Sequence, residues 1–372
     1  MAIQWTEVVL KIQDYGAVLA ILANFYLLGL INYRSPEQLG NYKYLMMYIS
    51  IFEIFYSIIG VALHPAVYTY KSAYIIFVDV RSFALGRDSA AFLNVLFCAL
   101  YEFSMAVFGI NFIYRYAITR GFAFGQTTKS HRALFRLKSY FEGAYFAIWL
   151  LIPVFYTLFW ILVIDVCFGP FDEFSDLIRY KLSVLKKNNR STELHLRGPL
   201  LENFDIQLAD IVYLGPYFFP VNRNGTRYTN YTTVVGMFSL TASVMLSAFC
   251  VIFFGIKCYW GIYKIVREFN SSNYRGLQRQ LFEALVMQTA IPFILMYIPG
   301  SVLYMLPLLD MDFGFVTTFI SITIAIYPAI DPLPTIFIVK KYRLATIEIF
   351  KGLARILLFD KRSKGKRFSE SN

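Results

Sequence analysis

Charge and histidine are scarce in this 372-residue chain. Only 16% of the residues are charged, against about 25% in soluble domains. The three histidines, His64, His131 and His195, lie too far apart in sequence to suggest a histidine-rich metal centre. Four cysteines, Cys98, Cys167, Cys250 and Cys258, are too few for a disulfide framework, and no two have C-x-x-C spacing. G-x-S-x-G, G-x-x-x-x-G-K-[ST] and H-E-x-x-H are all missing, so no nucleophile elbow, phosphate loop or zinc-protease helix is marked. Asp310-Met311-Asp312 has the D-x-D form of metal-dependent transferases, but it has no companion ligands and reads as a solvated turn. No enzyme activity and no cofactor are expected.

What the chain does carry is apolar and aromatic. Hydrophobic residues make up 58% and mean hydropathy is +0.53. With 37 Phe, 28 Tyr and 4 Trp, the chain is far too rich in core-forming side chains to be disordered. The formal net charge of +11 could suit nucleic acid, but the basic residues stand between long apolar runs rather than on one polar face. Membrane lipid is the partner they fit.

A hydrocarbon layer about 30 Å thick calls for roughly 20 mostly apolar residues per helix. Seven stretches qualify: Tyr15 to Asn32, Tyr44 to Tyr70, Ser89 to Ala117, Ser139 to Ile164, Thr233 to Ile256, Leu281 to Leu306 and Phe313 to Val339. The fold expected is therefore an all-α membrane protein, a seven-transmembrane helix bundle. The first run follows Glu7, Lys11 and Asp14, lacks a basic leader and shows no A-x-A cleavage site, so it reads as a retained helix.

Orientation follows from basic residues in the connections. One set of alternate connections holds 23 Lys and Arg; the other holds 4 outside its 67-residue loop, 166–232. Such a long loop crosses regardless of its charge. This predicts an N-terminus outside, a C-terminus in the cytoplasm, and a plasma-membrane location. The long outer loop carries sequons at Asn189, Asn224 and Asn230, which are candidate N-glycosylation sites. Residues 1–339 then form the membrane domain and 340–372 a cytoplasmic tail. Within that tail, 342–359 reads as an amphipathic helix lying on the bilayer, with Glu348, Lys351 and Arg355 on one face.

Ionisable groups inside a bilayer cost at least about 2.5–3.5 kcal/mol at mid-helix, so each is a functional candidate. Glu53 and Glu102 fall near the midplane, and Asp331 lies beside Pro332 and Pro334. With Ser104 these could form one polar core that rearranges on activation, holding a cation or protons, or else a static network. Arg115 and Glu283 sit at the cytoplasmic ends of the third and sixth spans, placed for an Arg-carboxylate clamp or for separate snorkelling. His64, Tyr101, Tyr297 and Tyr304 are the candidate liners of a ligand pocket in the outer half.

Four strings, SPEQLGNYKYLMMYISIFEIFYS (from Ser35), NFIYRYAIT (from Asn111), QLFEALVMQTAIPFILMYIP (from Gln280) and YPAIDPLPTIFIVKKYR (from Tyr327), resemble nematode serpentine chemoreceptors of the Str class, close to the Srj class. The resemblance covers nearly the whole chain and is weakest in the long outer loop. It implies a G-protein-coupled receptor of chemosensory neurons, carried to the sensory cilium, some relatives of which detect volatile odorants. Arg115 resembles the Arg of the D-R-Y motif in rhodopsin-like receptors, with Tyr114 in place of its acid. Asp331-Pro332 resembles the start of their N-P-x-x-Y, with Thr335 where Tyr would stand. Such receptors often bridge the third helix to the second outer loop, for which Cys98 and Cys167 are the candidates, although Cys98 lies deep in its span.

The expected function is thus an olfactory receptor in which a small-molecule ligand drives a heterotrimeric G protein. A seven-helix ligand-gated cation channel and, behind it, a transporter are the alternatives. The channel would place its N-terminus inside, against the charge bias.

Overall fold

A computed structural model describes residues 2–36, 39–81, 83, 86–123, 141, 143–168, 206–207, 210–221, 226–268, 272–311 and 318–370. The helices are α1 (Ala2–Arg34), α2 (Tyr42–Leu63), α3 (Arg87–Ala123), α4 (Ala144–Phe168) and α5 (Tyr231–Glu268). Next, α6 runs Ser272–Pro292, passes a π-helical turn at Phe293–Tyr297 and continues as Ile298–Leu308, while α7 comprises Thr318–Ile330 and Pro332–Ile338. A last helix, α8, spans Lys340–Glu370. The first seven are each long and apolar enough to cross a membrane.

Burial separates their roles. In the apolar window of α3, 78% of residues are buried, against 22% in α4 and in α5, so α3 is the axis and α4 and α5 turn most of their surface to lipid. Phe155, Leu158, Phe238, Phe249 and Trp260 on these two helices are exposed. Exposed apolar side chains at this density suit hydrocarbon, not water.

Proline shapes α6 and α7. Pro299 has no N–H to give, and its ring would crowd the carbonyl four residues back. The π turn before it, closed by Ile298 N–H to Phe293 O, widens the helix there. In α7, Pro332 leaves the Pro328 carbonyl without its helical donor. Asn24 of α1 supplies one, with Nδ2 3.1 Å from Pro328 O.

The second span stops sooner than the sequence suggests. Residues Ala66–Tyr70, expected as helix, form strand β1, paired antiparallel with β2 (Ala73–Asp79), which pairs antiparallel with β3 (Ile211–Leu214). The cause is Pro65, which disfavours helix in the residue before it. His64 accordingly leaves α2 in a left-handed conformation, φ 46°. Lys71, φ 50°, turns the chain between strands rich in β-branched and aromatic residues.

The sheet is two-faced. Tyr68, Ile75, Phe77, Ile211 and Tyr213 pack together on one side with Ile206; Val67, Tyr74, Ile76 and Leu214 face the helices. Two helices fasten it: Asn94 Nδ2 donates to Ile76 O at 3.1 Å and Arg87 Nη2 to Ile211 O at 2.8 Å from α3, and Val67 N–H donates to Ser321 Oγ of α7 at 3.1 Å. Phe218 N–H donates to Ser72 O and Asn230 N–H to Phe218 O, linking the sheet to the start of α5.

At the opposite, basic end, α8 leaves α7 through an extended Val339. Tyr342 and Ser35 share a 2.7 Å hydroxyl contact, and Tyr26 donates to Thr346 Oγ1 at 2.9 Å, holding α8 to α1. Beyond that anchor Ile349, Phe350 and Ile356 are exposed.

Gly215 follows β3 where the sheet passes closest to itself, and a Cβ there would overlap the Tyr74 carbonyl oxygen. Gly215→Ala is expected to cost about 1–3 kcal/mol through overpacking, seen as a lower midpoint in thermal unfolding of the detergent-purified protein. An unchanged midpoint would show that the sheet yields freely.

Candidate functional site

Beneath the sheet lies a cavity. Its roof is Val67, Tyr74, Ile76, Leu214 and Pro216, and its walls come from α2 to α7. Among the described residues, no Asp, Glu, Lys, Arg or His lines it. The polar side-chain groups of the lining residues are few: the hydroxyls of Tyr56, Tyr74, Tyr101 and Tyr304, the Cys98 thiol and the Trp160 indole N–H. The indole of Trp160 stacks near Tyr101, centroids 5.8 Å apart, with its own N–H given to Ser243 Oγ.

Of the expected liners, Tyr101 and Tyr304 are in the cavity wall and two others are not. Tyr297 lies below, its hydroxyl 2.6 Å from Ser104 Oγ and donating to Tyr101 O at 3.0 Å. His64 points instead to Asp14, with Nε2 2.8 Å from Oδ1 in a partly exposed pair; the chain reversal before Pro65 turns it away. Cys98 and Cys167 are both free, so the bridge anticipated from rhodopsin-like receptors is not made. Cys98 is buried in the wall, and Cys167 sits in the last turn of α4 beside Gly236 of α5.

The expected single polar core is divided. Glu53 and Asp331 meet through their side chains, with Asn24 beside Glu53. Gln288 of α6 donates Nε2 to Asp331 Oδ2 at 3.2 Å. Glu102 belongs elsewhere, accepting from Ser247 Oγ of α5 at 2.6 Å, and Ser104 joins the two tyrosines. The split is geometric: Glu102 and Ser104, two residues apart on α3, lie roughly 200° apart around a helix of 3.6 residues per turn. Asn24, Gln288 and Ser247 carry no charge, and nothing in hydropathy or spacing sets them apart from the other amides and hydroxyls of the spans.

Towards the basic end, Arg115 is 2% exposed. Its Nη1 donates to Gln278 Oε1 of α6 at 2.7 Å, and its guanidinium lies 3.8 Å from the centre of the Tyr42 ring. The anticipated Arg115–Glu283 clamp is replaced by this contact. Glu283 lies one turn further along α6 and pairs with Arg279 at 2.7 Å in an exposed i,i+4 bridge. Tyr114 stacks on Tyr42 and meets Phe141 edge-on, so the residue replacing an acid helps to hold the ring over Arg115. Among the described residues, Arg115 Nε and Nη2 have no partner.

The sheet end carries local ion pairs. Asp79, although partial burial alone would raise it, is held below the usual carboxylate range by Arg81, which bonds it through side chain and backbone. Asp310 pairs with Arg227 at 2.5 Å. Of the sequons, Asn189 and Asn224 lie outside the described residues. Asn230 is buried, with Oδ1 3.4 Å from the Thr233 N–H at the start of α5, a placement that an attached glycan would have to disrupt.

Seven membrane-length helices thus surround a sheet-covered cavity, with a buried arginine between α3 and α6 at the far end. The family model for the serpentine-type seven-transmembrane chemoreceptors of the Str class matches residues 10–191 and 181–347, and the chain belongs to that family. It is 36% identical over 335 residues to G-protein coupled receptor str-217 of Caenorhabditis elegans, covering 90% of this chain and 87% of that protein. It is 29% identical over 345 residues to serpentine receptor class r-10 of the same nematode, covering 91% and 90%.

Asn24→Ala would leave the Pro328 carbonyl without a donor inside the bundle. The expected cost is about 1–2 kcal/mol, measured as lower thermal stability in detergent; an unchanged midpoint would remove this bond from the packing of α1 on α7.

Proposed function

We propose that this chain is a chemosensory G-protein-coupled receptor that binds a small, neutral, largely apolar molecule in the roofed cavity and activates a heterotrimeric G protein. On this reading the sheet end faces outside, the basic end faces cytosol, and the protein works in the plasma membrane, in the sensory cilium of its neuron.

One observation carries the proposal: α3 and α6 are joined at both levels. Beneath the cavity, Tyr297 of α6 bonds Ser104 and the Tyr101 carbonyl of α3. Fourteen residues further along α3, about 21 Å at 1.5 Å per residue, Arg115 holds Gln278 of α6. A ligand that favours a different packing of Tyr101 and Tyr304 shifts both contacts together, because its differential affinity is the free energy available to move α6. Releasing Gln278 uncovers Arg115 and opens a cleft between α3 and α6. The 23 basic residues of the cytoplasmic connections and tail, against 5 acidic ones, give that face the charge to meet an acidic partner.

The test is calcium imaging of cells expressing the chain with a promiscuous G protein, screened against an odorant panel. At least one compound should elicit a response, and Arg115→Ala should abolish it with surface level retained. Full signalling by that variant would remove Arg115 from coupling; responses that persist when the G protein is deleted would contradict the receptor assignment.

A further inference from the structure

A second cavity lies between α1, α2 and α7 and shares a wall with the main chamber. Tyr56, Val67, Ile76, Phe97 and Ile324 line both. Val67 and Ile76 belong to the common roof. Tyr56 and Phe97 form the partition, their rings stacked with centroids 4.6 Å apart and 16° between planes.

The side chamber reaches the lipid-facing surface along α2. Its wall includes Val61, half-buried and next to the exposed Ile58 and Ala62. Gly60, roughly 200° around the helix from Ile58, leaves room on the inner side beside the partition: a Cβ there would find only Phe97 Cε2, at 3.5 Å. Among the described residues, no charged one lines the chamber. One polar group there is unsatisfied: Gln13, 5% exposed, gives Nε2 to Pro65 O but leaves Oε1 with no partner. A buried amide oxygen without a donor is costly, and a ligand hydroxyl or N–H would satisfy it.

Entry through the roof is a poorer route. The sheet is bonded to α3 through Arg87 and Asn94 and to α7 through Ser321, so a molecule arriving from that end must break several hydrogen bonds at once. Turning two aromatic rings breaks none of them.

We propose that the side chamber is a second ligand subsite, taking small neutral molecules with an apolar body and a hydrogen-bond donor for Gln13. It is also the passage by which bilayer-dissolved ligands reach the main chamber past Tyr56 and Phe97. The proposal rests on the reading of the main chamber as the ligand site.

Cys98, in the wall of the main chamber, is a built-in reporter. With Cys167, Cys250 and Cys258 changed to Ala, the receptor in lipid vesicles is treated with methyl methanethiosulfonate, which is neutral, or with its anionic sulfonatoethyl analogue. Each forms a mixed disulfide on Cys98 Sγ and releases methanesulfinate. Rates are followed by mass spectrometry and divided by the reagent's rate with free glutathione. The neutral reagent should react at least tenfold faster, and Gly60→Trp should slow it at least fivefold. Ala17→Phe fills the same chamber from α1 and should do likewise, which covers the case of a Gly60→Trp chain that does not fold. Equal rates for the two reagents would show an aqueous opening through the roof and overturn the proposal. So would an unchanged rate in both folded variants, or no reaction of Cys98 with either reagent. No agonist or G protein is involved, so a chain that fails to signal fails the functional reading while this result stands separately.

Discussion

A peptide group in hydrocarbon has no water to bond, and every element of this protein answers to that constraint. It makes the spans helical, and it makes each break in a helix a problem to be solved by a neighbour. Where Pro332 withholds a donor from Pro328 O, Asn24 provides one across the α1–α7 interface. Where Pro65 ends α2, the chain goes on as a strand whose backbone is paired in a sheet rather than exposed. The sheet then does what a loose loop could not, covering the end of the bundle with a surface that is apolar on the side facing the helices.

The same constraint explains why the polar groups inside the bundle are few and grouped. Glu53 with Asp331, Glu102 with Ser247, and Arg115 with Gln278 each join different helices. Burying such groups without partners is costly, so each pairing favours one relative placement of its helices. Because α3 contributes to two of these pairings and to the cavity wall, it is the element that would carry a change at the cavity to Arg115 on the proposed reading.

The seven spans were legible because twenty-residue apolar runs have few alternatives, and their order and approximate bounds match the helices. Less visible was the sheet, whose first strand was absorbed into the second span: apolar β-branched residues such as Val67 serve a helix as well as a strand on hydropathy alone. The β-branched and aromatic residues from Tyr68 to Phe77, interrupted by Lys71-Ser72, were the available signal. Among the site residues, Arg115, Tyr101 and Tyr304 were found because an intramembrane charge or a cavity-height tyrosine stands out in sequence. Partners were harder. Gln278 and Glu283 are both near Arg115 along the chain, and only helix phase decides which faces it. His64 was misread because its direction depends on a left-handed residue that hydropathy does not reveal.

The account stands on the sheet end lying outside and the basic end in the cytosol. Epitope tags at the two termini, stained before and after permeabilisation of intact cells, measure this directly. The account predicts an N-terminal tag accessible on intact cells and a C-terminal tag accessible only after permeabilisation. A C-terminal tag stained on intact cells, or both termini on one side, would contradict it.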